Sequence, residues 1–350
     1  MIKVLIVDDS ALVRKILTTE LSKFSDIEIV GTAIDPYVAR DKILALKPDV
    51  MTLDIEMPRM DGLSFLEKIM KYHPMPVVIV SSLTPRNSEM AIRALELGAL
   101  DVVCKPGGTF SASNISQQLA NAIRGASHAK FMKKEEAAGP PPRKLDRKPV
   151  QLLTTHKVLA IGASTGGTKA IEVVLRDLPA STPGTVIVQH MPEGFTRSFA
   201  DRLNQITEME VREARDSDYV VPGVALIAPG NYHMVLQRSG ARYFVRIVDG
   251  PQVHYQRPAV DILFESVAQH AGSNSMGVIL TGMGADGAKG MLAMAQRGAY
   301  CIAQDEKTST VFGMPKEAIK TGAVNEVLPL DSIAGRIIDY LSDRQIVSSK

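Results

Sequence analysis

The sequence predicts two doubly wound α/β domains in tandem. Three observations carry that expectation: short apolar runs alternate with amphipathic stretches in both halves, several of those runs end on a polar or charged residue, and a charged, Pro-rich segment separates the halves. At 350 residues the chain exceeds the size at which one hydrophobic core keeps growing, and 45% apolar residues suffice for two. In the first half the runs IKVLIV, VMTL, PVVIV and DVVC stop at Asp8-Asp9, Asp54, Ser81-Ser82 and Lys105-Pro106. Ligands bind outside the carboxyl ends of the strands in such sheets, so carboxylates, hydroxyls and an ammonium are expected at one rim.

That set suits magnesium-assisted phosphoryl transfer. Clustered carboxylates hold a hard cation such as Mg²⁺, which offsets their repulsion. Asp54 would attack a phosphoryl donor, Lys105 and the metal would neutralise the equatorial oxygens, and the Ser81 hydroxyl would hydrogen-bond the acyl phosphate. Each residue also has a plainer reading: Asp9 or Ser10 as the cap of a helix starting near Ala11, and Lys105-Pro106 as a solvated turn. With VDDS (7–10), LDIEMPRMDG (53–62) and Lys105-Pro106, the first 124 residues resemble the receiver domain of two-component response regulators. The resemblance implies a flavodoxin-like, five-stranded parallel sheet, Asp54 as phosphoacceptor, Asp8 and Asp9 around the metal, and the Glu56 carbonyl as a further metal contact. Many receivers carry a switch aromatic three residues before the lysine; this chain has Val102.

Composition narrows the function classes. The formal charge is +2, and no helix-turn-helix pattern or dense basic stripe follows residue 150, so nucleic-acid binding is not expected. No apolar run reaches the about 18 residues of a membrane span, and Met1-Ile2-Lys3 leads into a strand, so a cytoplasmic protein without membrane insertion is expected. The only cysteines, Cys104 and Cys301, fall inside predicted strands as small hydrophobes; a thiol depressed by Lys105 would give Cys104 a redox role.

The stretch KKEEAAGPPPRKLDRKP (133–149) has no apolar periodicity and reads as linker. Structure resumes at HKVLAIGAS, followed by the strand candidates TVIVQH, GVALIAP, SMGVILTG and AYCIAQ, with helices such as Ala259 to His270 and Lys289 to Arg297 between several of them. Residues 231–248 look like a β-hairpin around Ser239-Gly240, which would make the sheet mixed near one edge. GASTGG (162–167) joins a strand to a helix in a tight turn that exposes the Ser164 hydroxyl beside free helix N–H groups. His190 ends the next strand and Asp286 follows a later one, the parts of a Ser-His-Asp triad. Other readings stay open. GASTGG also suits a plain turn or a phosphate cradle, and GMGADG (282–287) with Asp305 fits the dinucleotide fingerprint of an NAD-dependent oxidoreductase. A non-catalytic signalling adaptor is the third class. His156, His233, His254 and His270 end no core strand, and no H-x-H or H-x-x-x-H supports a metallohydrolase.

GASTGG, VQHMPEGFTRSFA (188–200), IAPGNYHM (227–234) and ILTGMGADG (279–287), behind a receiver-like half, resemble the chemotaxis protein-glutamate methylesterases. The resemblance implies a receiver at 1–124, a linker at 125–152 and a catalytic domain at 153–346. It implies a catalytic Ser164, His190 and Asp286, with Met283 near the oxyanion and Thr165 a neighbouring polar contact. The hydrolytic step would need no cofactor. It further implies glutamate methyl esters on chemoreceptor helices as substrate, glutamine deamidation as second activity, and a histidine kinase as phosphodonor. A monomer is expected, whose unmodified receiver packs over the catalytic face.

Overall fold

The computed structural model describes residues 1–57, 59–105, 112–129 and 156–347; Pro106 and most of the expected linker lie outside them. The first domain alternates β1 (Ile2–Val7), α1 (Ala11–Leu21), β2 (Ile27–Ala33), α2 (Pro36–Leu46), β3 (Val50–Leu53), α3 (Gly62–Tyr72), β4 (Val77–Ser81), α4 (Pro85–Glu96), β5 (Asp101–Cys104) and α5 (Ala112–Ser127). Its strands form one parallel sheet in the order β2-β1-β3-β4-β5. Every residue of β3 and β4 is buried, because helices cover both faces. Ser10, Asp35, Asp61 and Thr84 accept N–H bonds at the starts of the first four helices. Strand order reverses between β1 and β3, the strands that deliver Asp8 and Asp54.

The second domain runs β6 (Val158–Ala163), α6 (Gly167–Arg176), β7 (Gly184–Gln189), α7 (Phe195–Ile206), β8 (Glu210–Glu213), β9 (Val224–Ile227), β10 (His233–Ser239), β11 (Arg242–Val248), α8 (Val260–His270), β12 (Ser275–Ile279), α9 (Ala288–Gln296), β13 (Tyr300–Gln304), α10 (Met314–Lys320), β14 (Glu326–Leu328) and α11 (Leu330–Val347). Seven strands pair in the order β14-β13-β12-β6-β7-β9-β8, every pair parallel. The expected mixed edge is therefore corrected. The hairpin β10–β11 is a separate antiparallel sheet. It buries Met234, Leu236, Tyr243 and Val245 instead of extending the large sheet, and the Leu236 N–H donates to Ser266 Oγ of α8 at 2.8 Å.

The central strands β12, β6 and β7 are adjacent, and chain order reverses there. Asp286, Ser164 and His190 each follow one of them. The two domains pack through α4 against α7, where Glu96 pairs with Arg202. One hydrophobic cluster spans them, from Leu5 and Ile79 in the first sheet to Ile161 and Ile187 in the second. Among the described residues no helix is long and apolar enough to cross a membrane.

Candidate active site

The first site gathers at the carboxyl edge of the receiver-like sheet. Lys105 Nζ donates to Asp54 Oδ2 at 2.7 Å and lies 2.9 Å from Asp8 Oδ2. Asp8 Oδ1 accepts from the Ser10 N–H at 2.8 Å, and Asp54 Oδ1 from the Glu56 N–H at 3.3 Å. Oxygens of Asp8, Asp9 and Asp54 all lie within 4.8 Å of one another, with Asp8 and Asp54 buried and Asp9 exposed. Ser10 caps α1, which leaves Asp9 available. Burial pushes the Asp54 carboxyl up to about 6, against the pull of Lys105. Burial also draws Lys105 down, but its bonds to Asp54 and Asp8 prevail and raise it. An all-oxygen set of three carboxylates, one open to solvent, fits a hard divalent cation such as Mg²⁺. Ser81 ends β4 with 1% of its surface exposed, on the strand beside Asp54's own. Asn87 of α4 was not foreseen: its amide donates to Glu56 Oε2 at 3.0 Å and to Ser82 Oγ at 2.6 Å, tying α4 to the pocket rim. A polar residue in the first turn behind the Thr84 cap was the available signal.

The second site starts with the turn from β6 to α6. Gly166 sits at φ +77°, and a Cβ there would meet Thr310 at 2.5 Å; a Cβ on Gly167 would lie 2.2 Å from Gln189 Oε1. Only glycines allow this close turn. Backbone bonds fix Ser164: its N–H donates to Thr281 O at 3.0 Å, and its carbonyl accepts from Gln189 Nε2 at 3.0 Å. His190 Nε2 is 2.7 Å from Asp286 Oδ2, while its Nδ1 is buried with no hydrogen-bond partner among the described residues. Asp286 also accepts from the Val260 N–H at 2.7 Å and the Asp261 N–H at 2.8 Å. Burial alone would raise the Asp286 carboxyl, but the bond and charge of His190 and these N–H donors hold it below the usual range. Ser164, His190 and Asp286 share a cavity of about 270 Å³ with Thr165 and Met283.

The receiver-like domain forms part of that cavity. Asp101, Val102 and Asn121 line it, Thr165 Oγ1 donates to Asp101 Oδ2 at 2.9 Å, and the Gly166 N–H reaches Leu100 O at 3.3 Å. Burial pushes the Asp101 carboxyl up to about 6, with the Val102 N–H and Thr165 opposing. Asp101 was not singled out by sequence, since a polar residue at a strand start is common. Val102, the departure at the switch position, is buried and lines the same cavity.

Two sequence readings are set aside by the geometry. Two of the GMGADG glycines serve close packing: a Cβ on Gly282 would meet Ser164 Cβ at 2.7 Å, and one on Gly287, at φ +93°, would meet Val260 at 2.7 Å, whereas Gly284 supplies a φ of +89°. The following helix start, where a pyrophosphate would bind, already holds Asp261, whose Oδ1 accepts from the Gly287 and Gly290 N–H groups at 2.9 and 2.7 Å. Asp305 caps a local turn through Thr308. Cys104 is not a depressed thiol: burial pushes it up to about 12, with Glu193 adding to the shift, and Cys301 is likewise raised to about 12 by burial.

The cavity mouth carries a further element. Val253 and Gln256 exchange backbone bonds of 3.0 and 2.9 Å around His254 and Tyr255, which both have positive φ, +52° and +62°. Left-handed backbone costs an L residue roughly 1–2 kcal/mol. His254 Nε2 lies 3.2 Å from Asp261 Oδ2, so the turn is braced by a residue whose own backbone N–H is bound to Asp286. His233 is structural: its ring bonds Pro251 O and the Ala259 N–H.

Residues 159–337 match the CheB methylesterase family, and residues 4–118 match the response regulator receiver domain. A protein-glutamate methylesterase/protein-glutamine glutaminase of Syntrophus aciditrophicus is 58% identical, covering 96% of this chain and 98% of that protein. One of Salmonella typhimurium with the same activities in its name is 54% identical over 99% of both chains. The crystal structure of the Thermotoga maritima CheB methylesterase catalytic domain covers 53% of this chain and 98% of its own, at 39% identity and a TM-score of 0.52. With a family match over half its length and relatives alike from end to end, the chain belongs to the CheB methylesterase family.

Proposed function

We propose that Ser164, His190 and Asp286 are the nucleophile, the base and the orienting carboxylate of the protein's hydrolytic reaction. The protein is a protein-glutamate methylesterase and protein-glutamine glutaminase whose receiver brings it under phosphorylation control. The single observation that carries the triad is the 2.7 Å bond from His190 Nε2 to Asp286, with Ser164 in the same cavity. A bond through Nε2–H keeps the lone pair on Nδ1, and Nδ1 is the nitrogen with no partner among the described residues. His190 Nδ1 takes the Ser164 proton as Oγ attacks the side-chain carbonyl. The imidazolium then returns that proton to the departing ester oxygen, releasing methanol, or to the departing amide nitrogen, releasing ammonia in deamidation, and leaves an acyl-serine. Water, deprotonated by the same nitrogen, attacks the acyl carbon, and the imidazolium returns the proton to Ser164 Oγ as glutamate is released. Backbone N–H groups of the turn at Thr165 and of the Met283 loop receive the oxyanion.

In the receiver, Asp54 is the phosphoacceptor, with Ser81 and Lys105 as contacts to the phosphoryl oxygens. Asp8, Asp9, Asp54 and the Glu56 carbonyl would hold Mg²⁺, which when bound neutralises charge on the transferred group. Domain limits of 1–124, 125–152 and 153–346 complete the reading, with a histidine kinase as phosphodonor and methylated chemoreceptor helices as substrate. We place the protein in the cytoplasm as a monomer. Receiver residues that line the hydrolytic cavity support a docked state that limits access, relaxed when Asp54 is phosphorylated.

A serine-directed fluorophosphonate tests the centre of this reading. The full chain, activated with a small phosphodonor, should be labelled at Ser164 and lose methanol release in parallel. Labelling that persists in Ser164→Ala would reject the assignment.

A further inference from the structure

We propose that Tyr255 is a specificity-determining contact, holding the polypeptide around the scissile ester against the cavity mouth; this rests on the hydrolytic reading of the same site. The cavity, about 270 Å³, suits one esterified side chain but not the segment that bears it. That segment must rest on the rim. There the chain makes a tight turn whose two central residues, His254 and Tyr255, have φ of +52° and +62°. Turns with two positive φ values favour Asn and Gly, because a larger side chain is strained there. Neither residue is one of these.

Strain in a fold is ordinarily offset by burial, but the Tyr255 side chain gains little, with 60% of its surface exposed. Instead the surroundings fix the backbone from several sides. Val253 and Gln256 close the turn through two hydrogen bonds, and His254 is anchored at 3.2 Å to Asp261. Beyond the turn, the Arg257 guanidinium donates to Asn231 Oδ1 at 2.8 Å and to Gly250 O at 2.5 Å. Non-glycine residues held in this region cluster at ligand clamps. An exposed aromatic ring on a fixed backbone loses little conformational freedom on contact, which is why tyrosines dominate recognition surfaces. Tyr255 lines the same cavity as Ser164, His190 and Asp286 while most of its surface stays open to solvent, so this strained position is not accounted for by packing.

Tyr255→Gly is the informative variant, because glycine adopts positive φ without strain, so the turn survives the loss of the ring. The full chain, activated with a small phosphodonor, would be assayed on a methylated receptor cytoplasmic fragment and on the γ-methyl ester of N-acetylglutamate. For the fragment, kcat/KM should fall by about tenfold through KM, as for loss of a central aromatic contact. Hydrolysis of the small ester should stay within about twofold of the native rate and Tm should not fall. Tyr255→Phe should retain most of the affinity. An unchanged KM for the fragment, an equal loss on both substrates, or a phenylalanine variant as weak as the glycine one would overturn the proposal. Failure of the hydrolytic reading looks different: Ser164→Ala would then keep activity on both substrates.

Discussion

Both pockets place a buried aspartate at the carboxyl edge of a parallel sheet and set a nitrogen cation or imidazole against it, yet their carboxyls move in opposite directions. Asp54 is raised to about 6 because burial outweighs Lys105. Asp286 is lowered because His190 and the Val260 and Asp261 N–H groups outweigh burial. The difference lies in hydrogen bonding. Asp286 meets His190 and two backbone N–H donors, which suits a permanent counter-charge. Asp54 meets Lys105 and one backbone N–H donor at the longer distance of 3.3 Å, which suits a carboxylate that has still to take a metal and a new covalent bond.

Three experiments sharpen or break that contrast. Asp286→Asn should cause the largest change. Its amide can present N–H to Nε2 and so force the opposite imidazole tautomer, lowering kcat by something on the order of 10⁴. Methanol release by the activated full chain measures this, and near-native turnover would remove Asp286 from the reaction.

Next comes Mg²⁺. With a folded-state carboxyl at about 6 against an ordinary 3.8, ionised Asp54 costs stability as pH rises through 6, and a bound cation offsets that cost. Added Mg²⁺ should therefore raise Tm at pH 8 and lose the effect as pH falls through 6, where protons compete for the carboxylate. Calorimetry with and without chelator checks it, and Asp54→Asn should abolish the dependence. A shift equal at pH 5 and pH 8 would contradict the raised carboxyl.

The smallest effects concern the contact between the domains. Asp101→Ala removes the acceptor of the Thr165 hydroxyl, and basal activity of the unphosphorylated full chain should rise roughly threefold to tenfold, the equivalent of one hydrogen bond. Arg202→Ala breaks a pair with Glu96 that is partly open to solvent, so its effect should stay under about twofold. Equal effects, or a lower activity in Asp101→Ala, would mean that the Asp101 contact does not restrain access.

Much of the arrangement was legible in the sequence because strand ends carry the chemistry. Asp54, Lys105, Ser164 and His190 each follow directly on the last residue of a strand, and parallel order alone brings such ends to one edge. Elements with little apolar signal escaped: β14 is three residues of partly exposed chain, and β8 buries only Val211 fully. The hairpin was visible from its turn, but its alternating apolar face could not reveal whether it would join the sheet or cover α8. Asp101 and the His254–Tyr255 turn were hidden for another reason. Their meaning depends on what lies opposite them in space, and neither a polar residue at a strand start nor a His-Tyr pair announces that.

β5 is only four residues, about 13 Å at ~3.3 Å each. Its last residue leads into the lysine that touches Asp54, and its first residue accepts a bond from Thr165, the neighbour of Ser164. Input and output therefore lie at opposite tips of one short rod that can tilt or slide but hardly stretch. A single-residue insertion between Val102 and Val103 would turn one tip's side chains to the wrong face of the sheet, so that either Lys105 or Asp101 loses its partner and the two tips no longer report to each other.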